Sequence, residues 1–246
     1  MESYMETGTL LSDSTDDKEL YEKLYEELYD AFYCSALTPE MMDVCWADGW
    51  RHFGTYFFRS QVNMLNGVPV VVLPLRIVIA DFVLSKSQRR ILRKNADMAV
   101  DIRPIALTDA HHDVFHRHKQ RFVDNQPETL LDFLSPEPAT MPCLGYECLI
   151  TESETKRLFA ASFIDIGDKG LSSVYAMFDP EESHRSLGIL TLLCEIEYAR
   201  RLGKKYLYLG YAYSEASFYD YKKSFAALEY YNWRGDWLPL PRGFST

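Results

Sequence analysis

The period of the apolar positions changes several times along the 246 residues, and each change marks an element. Leu20, Tyr21, Leu24, Tyr25, Leu28 and Phe32 recur at helical spacing, so 18–32 is expected to be an amphipathic helix with an acidic outer face. Thr38, Pro39 and Glu40 open a second helix over 39–48. An aromatic block, 49–62, precedes the turn signal Asn66-Gly67. The run VPVVVLPLRIVIADFVL from residue 68 reads as strand, interrupted by Pro74, with Leu75, Ile77 and Ile79 on one face. Helices are predicted over 85–98 and 108–122. The prolines of 124–142 make that stretch a loop or linker between halves.

Beyond Pro142 the strands come first. YECLIT and RLFAASFIDIG flank the polar turn 152–156 as a hairpin, and Gly167-Asp168-Lys169-Gly170 turns the chain into SSVYAMF. A polar loop, 179–188, leads into a helix over 186–202 with Leu187, Leu190, Leu193, Cys194, Ile196 and Ala199 facing inward; Gly203 stops it. YLYLGYAY is a buried strand, FYDYKKSF a short helix or turn, and ALEYYNW a last strand. This order is that of the second half of a GNAT-like acyltransferase fold, an α+β architecture with a central mixed or antiparallel sheet flanked by helices. There the N-terminus of the helix after the central strand meets the donor's phosphate, because its free N–H groups and dipole end are positive. Here Ser183-His184-Arg185-Ser186-Leu187-Gly188 stands at that place. It lacks the multi-glycine spacing that wraps a coenzyme A pyrophosphate.

Charge sharpens the picture. The net charge is −10, but residues 1–30 hold ten acids against two lysines, so the remaining 216 residues carry only −2. The low pI therefore describes a head segment and leaves room for an anionic ligand elsewhere. Lys86, Arg89, Arg90, Arg93 and Lys94 place five cations in nine residues without an acid, the densest basic cluster in the chain. Five cysteines without a CxxC pair fit reduced thiols and a cytoplasmic protein. His112 and His116 have the spacing of a helical metal pair, but no Glu follows the first, and no metal or cofactor is expected. The longest apolar run, 68–75, is too short to span a bilayer, so no membrane partner is expected.

SSVYAMFDPEESHRSLG, YLYLGY, YKKSF and LPLRIVIADFVLSKSQRRILRKNADM resemble the arginyl-tRNA–protein transferases and their bacterial leucyl-transferring relatives, the N-end-rule aminoacyltransferases. The resemblance covers roughly residues 68–246. It implies transfer of an amino acid, arginine or leucine, from aminoacyl-tRNA to the N-terminal amine of a protein, usually one exposing an acidic residue. It also implies a duplicated GNAT-like fold related to the Fem peptidyltransferases. On that reading 1–66 is a divergent N-terminal segment, 67–142 a first GNAT-like half and 143–246 the aminoacyltransferase half. The chain departs from the family in lacking its closely paired N-terminal cysteines, and in having Asp220 before Tyr221-Lys222 where a Met is usual.

The implied reaction is aminolysis of an activated ester, in which positioning outweighs strong base catalysis. Under it Lys86, Arg89, Arg90, Arg93 and Lys94 are expected to contact tRNA, while Arg185, Ser186 and Gly188 hold the donor's 3′ end. Asp179 is the expected base or amine-orienting group, with Glu229 a second base candidate. Tyr175, Tyr211 and Lys222 are expected to line the reaction centre, Lys222 facing the developing oxyanion. Two other readings fit the same order of elements: an acetyl-CoA-dependent GNAT acetyltransferase, and a catalytically silent tRNA- or degron-binding relative. The absent glycines of 183–188 disfavour tightly wrapped coenzyme A, provided that the 86–94 cluster lies on the same side.

Overall fold

The computed structural model describes residues 28–65, 67–122 and 126–241. Twelve strands are named in chain order: β1 Tyr29–Tyr33, β2 Arg51–Phe53, β3 Tyr56–Ser60, β4 Val62–Leu65, β5 Val68–Val78, β6 Met98–Pro104, β7 Leu144–Glu152, β8 Leu158–Ile166, β9 Gly170–Phe178, β10 Tyr206–Tyr213, β11 Leu228–Tyr231 and β12 Trp237–Pro239. The helices are α1 Pro39–Ala47, α2 Lys86–Lys94, α3 Asp109–Lys119 and α4 Leu187–Arg201.

β12-β11-β5-β10-β9-β8-β7-β6 form one sheet, with β4 added on β5, and β1-β3-β2 form a small second one. β7, β8 and β9 are antiparallel, α4 crosses over, and β10 returns parallel to β9. This is the order expected of a GNAT-like fold, and the class is α+β with a large mixed sheet flanked by helices. α4 lies against one face, where Leu193, Ile196 and Ala199 join Ile164, Leu171, Leu207 and Ile77 in a core. Val114 and Phe115 of α3 pack with Leu149, Ala161, Phe163 and Met177 in a second core.

Two expectations change. The helix predicted over 18–32 lies outside the described residues up to 27, and 29–33 is the strand β1. Cross-strand aromatic pairing outweighs the helical period there: Phe32 stacks on Phe57 at 5.0 Å and meets Trp50 at 4.8 Å, and Tyr33 packs on Tyr56. The aromatic block forms the hairpin β2–β3.

Residues 67–142 also fail to close a sheet of their own. β5 sits between β10 and β11, and β6 pairs with β7, so both expected halves build one sheet. The physical reason is that Val70, Val72, Leu73, Leu75 and Ile77 are all buried, and a strand apolar on both faces belongs in a sheet centre. Pro74 does not break it: the β11 ladder covers Leu75 to Ile77 and stops one residue short of the proline.

Candidate active site

β9 and β10 separate at Ser172. Their parallel ladder pairs Tyr206, Leu207 and Tyr208 with Gly170, Leu171 and Ser172; beyond that β9 follows β8 to Phe178 and β10 follows β5 to Tyr213. A register shift marks each strand there, Val174 being the extra residue of β9. Gly210, at φ +79°, lies on the β10 side, and a Cβ there would meet the Arg51 guanidinium at 3.3 Å. Only glycine gives both that backbone and that space.

Three buried charged side chains converge on the gap. Arg51, from β2, donates to Ser172 Oγ at 2.5 Å and to the Ser173 carbonyl. Lys222, from a 3₁₀ turn over Phe218–Ser224, donates to the Tyr211 carbonyl at 2.9 Å. Glu195, from α4, is fully buried, with Ser173 Oγ at 3.5 Å and the Ser162 hydroxyl beside it. Its Oε2 makes no well-aligned hydrogen bond among the described residues.

Burial pushes Glu195 up to about 7, although Ser162, Ser173, Arg51 and Lys222 all pull the other way. Burial, and then the field of Arg51, pushes Lys222 down to about 7, with Glu195 opposing. Burial also lowers Arg51 below the ordinary arginine value, against the pull of Tyr211, Asp165 and Glu195. A carboxyl and an amine held near neutrality in one strand gap are able to exchange a proton with a bound group.

The half-buried Tyr175 stacks on Phe133 at 3.9 Å, and its hydroxyl has no hydrogen-bond partner among the described residues. Burial holds that phenol above the ordinary tyrosine value. Tyr219 covers Lys222 at 4.9 Å, and Tyr221 lies in the field of Glu195. Lys222 thus lies in the gap with Arg51 and Glu195, and Tyr175 stands on β9 next to the extra residue Val174. Tyr211 adjoins the gap through its carbonyl; its hydroxyl donates to Gly49 O at 2.8 Å.

Asp179 is elsewhere committed. Its buried carboxylate lies 2.7 Å from Arg157 and 3.2 Å from Arg117, and it caps the turn 180–185 through the Glu181 N–H. A carboxylate whose oxygens are taken up by two guanidiniums and a backbone N–H has none free for an incoming amine, so the catalytic expectation for Asp179 is corrected to a structural one. Glu229 is likewise removed from the base role: it pairs with Arg76 at 2.7 Å, and Arg76 is sandwiched between Tyr206 and Trp237 at 3.9 and 4.3 Å.

The basic cluster stands beside the loop 179–188, as the sequence reading required. Ser85 and Gln88 close a capping box on α2, and Lys86, Arg89, Arg90, Arg93 and Lys94 are all exposed. Lys94 Nζ donates to His184 O at 2.5 Å, and Asn95 to Arg185 O at 3.0 Å. Ser186, left-handed at φ 58°, precedes α4, and Gly188 is half-buried near Phe178. Arg185 is held by Glu182 at 2.9 Å and Asp97 at 3.1 Å, so its charge is matched within the protein.

Sequence reasoning missed Arg51 and Glu195. Glu195, a lone acid on the apolar face of α4, was a usable signal; Arg51 lies 121 residues from Ser172 and carried none. A second buried cluster adjoins the site. His52 Nε2 is 2.7 Å from Asp165, His52 Nδ1 is 2.9 Å from the Gly54 carbonyl, and Cys143 Sγ completes a group within 4.8 Å. His112 and His116 are exposed, with no metal-ligand cluster around them among the described residues.

Residues 104–232 match the family described as Arginine-tRNA-protein transferase, C terminus. The chain is 30% identical over 201 residues to the aspartate/glutamate leucyltransferase of Acinetobacter baumannii (strain AYE), covering 80% of this chain and 71% of that one. It is 31% identical to the aspartate/glutamate leucyltransferase of Alcanivorax borkumensis, covering 79% of each. Among solved structures, the C-terminal domain of a putative lysylphosphatidylglycerol synthetase from Agrobacterium fabrum aligns with a TM-score of 0.45 at 14% identity, over 74% of this chain and 54% of that one. By the match of its strand-gap half, and by identity across four fifths of its length, the chain belongs to the arginine-tRNA-protein transferase family.

Proposed function

We propose that the gap between β9 and β10 is an aminoacyl-transfer centre, in which the α-amine of an acceptor protein attacks the ester carbonyl of an aminoacyl-tRNA. The observation that carries this reading is the convergence of Arg51, Glu195 and Lys222 on the point where the strands part. An N-terminal ammonium has a pKa of about 8 and loses its proton readily to a group poised near neutrality. The Glu195–Lys222 pair takes that proton. The C–N bond forms as the carbonyl electron pair moves to oxygen, and the oxyanion develops in the field of Arg51 and Lys222. Collapse breaks the C–O bond: the former amine nitrogen, cationic after attack, gives its second proton to the pair, the ribose oxygen leaves with a proton from the pair, and one net proton passes to solvent. No nucleophilic side chain is required, because the ester is already activated.

The exposed cations of α2 hold tRNA phosphates beside the start of α4. Seven residues of helix separate Gly188 from Glu195, about 10 Å at 1.5 Å per residue, a distance a single-stranded 3′ end spans easily. For the donor we favour leucyl-tRNA and for the acceptor a chain beginning with Asp or Glu, as the Acinetobacter and Alcanivorax relatives are named. The reaction then belongs in the cytoplasm, where charged tRNA is made.

The test mixes the purified protein with radiolabelled leucyl-tRNA, arginyl-tRNA or acetyl-CoA, each with peptides beginning Asp, Glu or Ala. Label is expected on the Asp and Glu peptides from leucyl-tRNA. Label from acetyl-CoA alone would overturn the reading.

A further inference from the structure

The mouth of the strand gap carries more exposed aromatic surface than a packed turn requires. Phe218 opens the 3₁₀ turn that delivers Lys222, and it is 63% exposed. Leaving such a ring in water forgoes part of the stabilisation that burying it would bring. Its neighbours are rings as well: Phe122, just past α3, is 6.3 Å away, Tyr219 5.9 Å and Tyr221 6.5 Å, all edge-on. None of these rings stacks parallel on Phe218, and most of its surface stays open to solvent.

A cation joins them. The Arg121 guanidinium lies 4.4 Å from the Phe178 ring, at the end of β9, and 5.7 Å from Phe218. Phe122 and Phe218 thereby join the end of α3 to the turn that delivers Lys222, with Tyr175 in the field of both Arg121 and Tyr219. Exposed aromatic faces edged by arginine suit a nucleobase with its phosphate, since every base has a π-face and the guanidinium serves stacking and charge together.

We propose that Phe218, Phe122 and Arg121 form the stacking platform for the 3′-terminal adenine of the donor tRNA. This inference rests on the aminoacyl-tRNA reading and deepens it: the base seated here sets its own ribose ester over Glu195 and Lys222. α2 reads phosphates at a distance, and the platform reads the end.

The test titrates fluorescently labelled, uncharged tRNA ending in CCA against the same tRNA ending in CC, at one fixed salt concentration. The wild type is expected to bind the CCA form about tenfold tighter, in the range of one base stacked on an aromatic side chain. Phe218→Ala is expected to bind both forms alike with its CC affinity unchanged, and Phe218→Tyr to keep the wild-type ratio. Arg121→Gln supplies a second reduction of the ratio that leaves the rings in place. If Phe218→Ala keeps the full ratio, or if it weakens only acceptor-peptide use, the platform assignment falls while the tRNA reading stands. If the wild type binds neither tRNA, the aminoacyl-tRNA reading falls and takes the platform with it.

Discussion

Lys222 and Glu195 reach one strand gap from the two elements that flank β10 in sequence, and each lies in the other's electric field. Burial drives the amine down and the carboxyl up until both stand near 7. Ions buried this deeply are costly to the fold, a cost that the proposed proton transfer would explain.

The first prediction concerns rate. Glu195→Gln and Lys222→Met are each expected to lower single-turnover transfer on the order of 10²-fold, the usual weight of a positioned proton-transfer group. Gel filtration and circular dichroism should show both variants folded. Single-turnover rates within twofold of wild type for either would remove that residue from the reaction.

The second concerns stability and pH. Glu195 titrates in the fold near 7, above its ordinary 4.5. Its stabilising contribution is therefore complete below pH 4.5 and lost as pH rises through about 7. Lys222 is the mirror case, its lowered value making stability fall as pH drops towards about 7. Glu195→Gln is thus expected to raise stability at pH 8 by about 2–3 kcal/mol. At pH 4.5 it should change little. Urea midpoints at the two pH values decide it.

Asp179 provides a contrast. Asp179→Asn leaves Arg157 and Arg117 without their shared carboxylate; both arginines are partly exposed, so the expected loss is about 1–3 kcal/mol. Transfer per folded molecule is expected to stay within a few-fold of wild type. A fall of 10²-fold with unchanged denaturation would restore Asp179 to the chemistry.

Much of this was legible in the chain because neighbouring residues carried it. The polar turns that bracket β7 to β9, the apolar stripe of α4 and the short turn FYDYKKSF are local signals, and the turn carries Lys222. Arg51 was hidden because only the docking of the β2–β3 hairpin brings it to Ser172. Asp179 was misjudged because its arginines come from α3 and from the start of β8. The strand β1 was read as helix because Leu28 and Phe32 continue a helical spacing that the Phe32–Phe57 stack overrides.

For α2, Arg89→Glu combined with Arg90→Glu is expected to weaken tRNA binding regardless of the amino acid carried. The slope of log affinity against log salt should shrink by about 2, one for each lost phosphate contact. An unchanged slope would detach α2 from the tRNA.

The most direct measurement is the pH profile of single-turnover transfer for Glu195→Gln divided by that for the wild type, which cancels the titration of the acceptor amine. Removing the anion that supports Lys222 in its charged form lowers the pH at which Lys222 loses its proton. The variant should therefore show a lower plateau and an acid limb displaced to lower pH, so that the ratio rises as pH falls below 7. A ratio that is flat across pH 5.5–8.5 would contradict proton transfer by this pair.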